Sequence, residues 1–176
     1  MTSILLIGLV GVILVIFFKN SIIGTFGDNN KLVRKLRSTK WFQNHFVTGI
    51  FLFVMNGVLF FSTCLVLYIS TYFMIPYIHL LVMFLAVAGS IFLWILINKA
   101  WHGSSRNRLK MAVLGSSFYI VLTIIFIYMF VTLKPSYQGE DIFMRAFGIV
   151  FAIIVTTVAF ITCLVITGFS KRKIVI

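Results

Sequence analysis

Apolar positions in this chain neither alternate nor recur every three or four residues; they form long continuous runs. Five stretches are apolar almost without interruption: 2–18, 46–69, 77–97, 111–133 and 146–169. A helix crossing a bilayer needs about 20 apolar residues, with about 17–25 as the range. All five stretches meet that length, the first being the shortest. No water in the hydrocarbon core can satisfy a free backbone N–H or C=O, so a spanning segment must close its hydrogen bonds on itself as a helix. Membrane strands would be alternating segments of roughly 10 residues, which these runs are not. The pattern predicts an all-α, polytopic membrane protein: a bundle of five transmembrane helices forming a single integral membrane domain over 1–176.

The polar links between the runs fix an expected orientation. Lys19, Lys31, Arg34, Lys35, Arg37 and Lys40 lie between the first two runs. Lys99, Arg106, Arg108 and Lys110 lie between the third and fourth, and Lys171, Arg172 and Lys173 follow the fifth. The remaining links hold only Lys134 and Arg145, close to Glu140 and Asp141. Basic residues accumulate on the cytoplasmic side of a membrane protein. Five alternating spans put all but two of the 15 Lys and Arg on one side. The expectation is N-terminus out and C-terminus in, in a bacterial cytoplasmic membrane. Residues 2–18 lack the positive leader and the small-residue cleavage site of a signal peptide, so they are read as an uncleaved first span. Tyr68, Tyr72, Tyr77 and Tyr137 then fall at the outer interface, and Trp41 and Trp101 at the inner one, where amphipathic rings are favoured.

Composition agrees with the runs. Of 176 residues, 61% are hydrophobic and 10% charged, against about 25% charged in a soluble domain. So much apolar surface needs lipid to solvate it. A net charge of +12 in a soluble chain would suggest nucleic acid. Here the basic residues punctuate apolar runs, so their expected partner is anionic lipid and not nucleic acid.

The most distinctive polar segment is 29–40. Leu32, Val33 and Leu36 share one side of a helix there, with Arg34 and Arg37 turned away. Asp28, Asn29 or Asn30 can cap its start. This predicts a short basic interfacial helix, with Lys31, Arg34, Lys35, Arg37 and Lys40 as candidate anionic-lipid contacts. The competing reading is that these charges only fix topology.

Within the spans, Gly49, Asn56, Thr63 and Ser70 recur every seventh residue of the second run. An amide near mid-membrane is costly against lipid, so Asn56 must face a helix or a polar cavity. Gly49, Asn56 and Thr63 are the candidate intramembrane polar contacts. Interhelical hydrogen bonding is the favoured reading, with Thr123 or Thr156 as the expected acceptors; a solute path is the alternative. Small residues four apart mark further packing stripes: Ala86 and Ser90, Ala112 and Ser116, and Gly148, Ala152 and Thr156.

Catalytic sets are scarce. No Asp or Glu lies within a run, which removes intramembrane carboxylate chemistry. No phosphate-binding glycine motif is present. Cys64 and Cys163 sit inside apolar runs without disulfide or metal spacing. His45, His79 and His102 fall at three separate links or span ends, so no metal, haem or other cofactor is expected. Three function classes follow. The leading one is a non-enzymatic membrane subunit with an accessory, regulatory, assembly or self-protection role, packing against a membrane-protein partner or its own copies. A small-solute carrier or channel lined by the second-span stripe is the alternative. A membrane enzyme using Cys64 and His79 comes third.

Overall fold

The computed structural model describes residues 31–73, 78–135 and 142–169. The expected first span, 2–18, lies outside them, as do Asp28, Glu140, Asp141, Lys171, Arg172 and Lys173. Among the described residues the chain forms a short helix α1 (Lys31–Ser38), a 3₁₀ turn (Lys40–Gln43), and four long helices. These are α2 (His45–Phe73), α3 (Ile78–Ala100), α4 (Ser105–Val131) and α5 (Phe143–Gly168). All four are long and apolar enough to cross a membrane.

The helices outrun the apolar stretches that predict them. At 23 to 29 residues they are roughly 35–44 Å long, more than the ~30 Å hydrocarbon core. Hydropathy marks the lipid-embedded part, whereas backbone hydrogen bonding carries the helix on into polar sequence. α4 starts at Ser105 because the Ser104 side chain accepts a hydrogen bond from the Asn107 N–H, satisfying an otherwise orphan donor. Its other end closes at Thr132, with Pro135 just beyond. At the end of α2, Ser70 and Thr71 turn their hydroxyls back onto the carbonyls of Val66 and Tyr68.

The four long helices pack in a ring, α2 against α3 and α4, and α5 against α4 and α3. The starts of α2 and α4 meet the ends of α3 and α5 at one end of the bundle. Lys99, Arg106, Arg108 and Lys110 gather at this basic end, and α1 with Arg34 and Lys35 packs there against α3. Lys134 and Arg145 belong to the opposite end.

Packing is concentrated toward the basic end. The buried residues of α2 are Thr48, Gly49, Leu52 and Asn56, all in its first half. Those of α3 run from Trp94 to Ala100, those of α4 from Met111 to Leu122, and those of α5 from Thr156 to Gly168. Lipid is as apolar as these side chains, so burial alone does not drive association; close contact and interhelical hydrogen bonds must. Close contact comes from glycine. A Cβ on Gly115 would lie 2.3 Å from Leu52, and one on Gly49 2.8 Å from Leu114. α2 and α4 therefore interlock, each Leu seated on the other helix's Gly. Gly168 brings α5 against Ala112 and Leu109 of α4 in the same way.

The small-residue stripes are used unevenly. Ala112 and Ser116 are buried, whereas Ala86 and Ser90 are only half-buried. In the fifth-run stripe Thr156 is buried, but Gly148 has nothing within 4 Å of where a Cβ would stand. That position is no packing contact among the described residues.

Candidate functional site

The polar centre of the bundle is Asn56, fully buried on α2. Its side-chain Nδ2 donates to the backbone carbonyl of Gly115 on α4 at 3.1 Å. The same nitrogen lies 3.8 Å from Cys163 Sγ on α5. Its Oδ1 accepts from the indole N–H of Trp94 on α3 at 2.9 Å. One amide thus bonds to all three other long helices. A glycine is what leaves the Gly115 carbonyl approachable, because Leu52 fills the space a side chain would take. Trp94 also stands edge-on to Tyr119, and Phe118 of α4 meets Phe53 and Phe60 of α2 as the adjoining aromatic layer.

The expected acceptors for Asn56 are not the ones it uses. Thr123 and Thr156 bond each other, with oxygens 2.9 Å apart, and both hydroxyls also reach carbonyls of their own helices. Thr123 lies about 12 Å along α4 from Gly115 at the helical rise, too far for an amide on α2 to reach both. Of the other stripe residues, Gly49 is buried beneath Leu114 and Thr63 is half-buried with its hydroxyl on Leu59 O. Only Gly49 and Asn56 point into the packed interior.

Two further amides knit the basic end. Asn98 of α3 is buried and donates to the carbonyls of Ile166 and Thr167, satisfying the end of α5. Gln43, in the 3₁₀ turn, donates to Ala100 O at 3.4 Å and accepts from His102 N–H at 3.2 Å. It thereby closes the end of α3. Thr48 donates to Phe42 O and fixes the turn to α2. The signal for these residues lay in residue type: Trp94 is a polar-tipped ring within an apolar run and Asn98 an amide at its end, and each needed a named partner.

Among the described residues the basic segment is helical over Lys31–Ser38, and the helix ends before the expected residue 40. Val33 is buried and Leu36 packs on the core, as the apolar side predicts. Arg34 and Lys35 are exposed. Lys31 opens α1, Arg37 lies in its last turn, and Lys40 opens the 3₁₀ turn. Trp41 is 48% exposed, as an interfacial ring would be, but Trp101 is not: it is buried against Gly103. Its indole nitrogen is buried without an acceptor, a state that costs about 1–3 kcal/mol.

No protein-family model, curated protein or solved structure matches this chain. Function must therefore be argued from the side chains themselves. The node offers neutral groups only: an amide, an indole, a thiol and backbone carbonyls. None of the described residues is Asp or Glu, and no three His, Cys, Asp or Glu among them are grouped to hold a metal ion. Cys64 and His79 both sit on exposed faces, of α2 and α3 respectively. The arrangement can fasten helices to one another.

Proposed function

We propose that this chain is a non-enzymatic, multi-pass membrane subunit acting through helix packing with a membrane partner, in an accessory, regulatory, assembly or self-protection role. The observation that carries the reading is the use of Asn56. Its oxygen and its nitrogen both bond neighbouring helices, so the most polar position of the spans is structural glue. Those partners bury it completely, so the amide presents no surface to a guest. Gly49, the next position of the stripe, is filled by Leu114, which argues against a continuous path along α2.

The proposed topology has five spans, with residues 2–18 as the first, the N-terminus outside and the C-terminus inside. It is supported by the gathering of basic residues from separate links at one end of the bundle. That end is assigned to the inner face of a bacterial cytoplasmic membrane, where Arg34 and Lys35, with Lys31, Arg37 and Lys40, meet anionic headgroups.

The test is purification of the full chain in mild detergent, with copurifying proteins identified by mass spectrometry. A stoichiometric membrane partner, or a defined homo-oligomer, is the expected result. A cysteine introduced as Asn56→Cys separates the alternative. Rapid reaction with a small water-soluble thiol reagent in folded protein would promote the carrier reading, because it requires a wet cavity at that depth.

A further inference from the structure

Two basic segments far apart in the chain become one surface at the basic end. Gln43 joins them, bonding Ala100 and His102 on either side of the α3 terminus. α1 packs on α3 alongside. Arg34 and Lys35 from the first segment and Arg106 and Lys110 from the second are all exposed, and no described residue is acidic. Such a concentration of like charge is costly unless an anion joins it. The same junction contains a donor with nothing to bond. Trp101 is 1% exposed and its Nε1 has no acceptor. Gly103 lies close against the ring, where a Cβ would stand 2.5 Å from Cζ2 and 3.1 Å from that nitrogen. The link from Trp101 to Ser104 is non-helical and runs into the N-terminus of α4, whose first turn holds no acidic residue. A helix N-terminus favours an anion, and here it adds to a side-chain donor that needs one.

We propose that this junction binds the phosphate headgroup of an anionic phospholipid, held by Arg34, Lys35, Arg106 and Lys110 and accepting a hydrogen bond from Trp101 Nε1. The site deepens the membrane reading above and rests on it. Exposed Gly103 lies against the indole, and a shift of that residue admits a phosphate oxygen while the Gln43–His102 bond stays in place. Gln43 is the positioning residue, because it holds the two cationic segments in one register. The site therefore differs from a diffuse basic surface, in which charge alone would matter.

The experiment uses the full chain in neutral detergent. Its Tm is followed during titration with short-chain phosphatidylglycerol, phosphatidylcholine and inorganic phosphate at constant ionic strength. Phosphatidylglycerol is expected to raise Tm saturably, while the other two leave it unchanged. Arg106→Gln with Lys110→Gln should weaken the apparent affinity about tenfold or more. Trp101→Phe removes the orphan donor while shrinking a buried ring, so its own lipid-free Tm is the reference, and from it the variant should show a smaller lipid shift. Gln43→Leu keeps every charge and should lose the saturable response. Equal protection by phosphatidylcholine would overturn the proposal, and equal protection by inorganic phosphate would replace the lipid with a soluble anion. A full response in both Trp101→Phe and Gln43→Leu, lost only with charge, would reduce the site to diffuse attraction. If Gln43→Leu fails to fold, Trp101→Phe decides alone. None of these failures touches the packing role, which the Asn56 and copurification tests judge separately.

Discussion

The indole N–H of Trp94 donates to the side-chain oxygen of Asn56 across 2.9 Å, joining residues 38 positions apart on adjacent helices. Neither group has another hydrogen-bonding use for these atoms. Removing either leaves the other buried without its partner, which makes the pair suitable for a double-mutant cycle. Asn56→Leu and Trp94→Phe should each lower stability by roughly 1–2 kcal/mol in reversible denaturation from mixed micelles. The double variant should cost less than the sum. Strict additivity would mean that the bond contributes nothing.

The interlocked glycines make an opposite pair of expectations. Gly115→Ala places a methyl 2.3 Å from Leu52 and should destabilise by about 1–3 kcal/mol. Leu52→Ala in the same chain should restore part of that loss, because it vacates the space. Gly148→Ala meets nothing within 4 Å and should be neutral or stabilising by up to about 1 kcal/mol. Thermal melts of the three variants check this, and a neutral Gly115→Ala would contradict the α2–α4 interlock.

Thiol chemistry should follow burial. Cys163 is buried at the node and Cys64 is exposed on α2. In folded protein a lipid-soluble maleimide should modify Cys64 and spare Cys163. A charged, membrane-impermeant reagent should modify neither quickly, since Cys64 faces hydrocarbon in the proposed membrane placement. Mass analysis after timed labelling reads both sites. Modification of Cys163 at the rate of Cys64 would show that the bundle opens at its polar centre.

The proposed orientation has its own check. In a background with Cys64→Ala and Cys163→Ala, single cysteines at Ser38 and Ser105 should label only from the cytoplasmic side. One at Lys134 should label from outside. Outside labelling at Ser105 would reverse the bundle.

Much of this fold was legible because lipid simplifies the code. Unbroken apolar length gives α2, α3, α4 and α5, since in hydrocarbon a single unbroken apolar segment satisfies its own backbone only as a helix. The apolar side of α1 was likewise readable from Val33 and Leu36. The helix ends were not, because the Ser104 cap starts α4 and α2 runs on past Ser70 and Thr71, whose hydroxyls turn back onto their own helix, in sequence that hydropathy scores as polar. Asn56 announced itself as an intramembrane amide, but its partners did not. A backbone carbonyl such as Gly115 O carries no residue signature, and Trp94 resembles an interfacial ring until its depth is known. Trp101 shows the reverse error, an apparent interface ring that the fold buries. Thr123 and Thr156 were plausible by type and excluded by height along the bundle, a quantity that the linear pattern does not contain.

The concentration of tight packing at the basic end has a mechanical consequence. Asn56, Asn98 and Gln43 act as a collar toward one end; beyond it the Thr123–Thr156 bond still ties α4 to α5, while α2 is a lever fixed at that collar. From Asn56 to Phe73 the lever is about 25 Å long at the helical rise, so a tilt of roughly 10° at the collar moves its tip by about 4 Å. Small adjustments among the few amides would be magnified into changes of spread in the opposite leaflet. Conversely, a partner or a thicker leaflet pressing on that end of α2 would work with leverage against the Trp94–Asn56 bond.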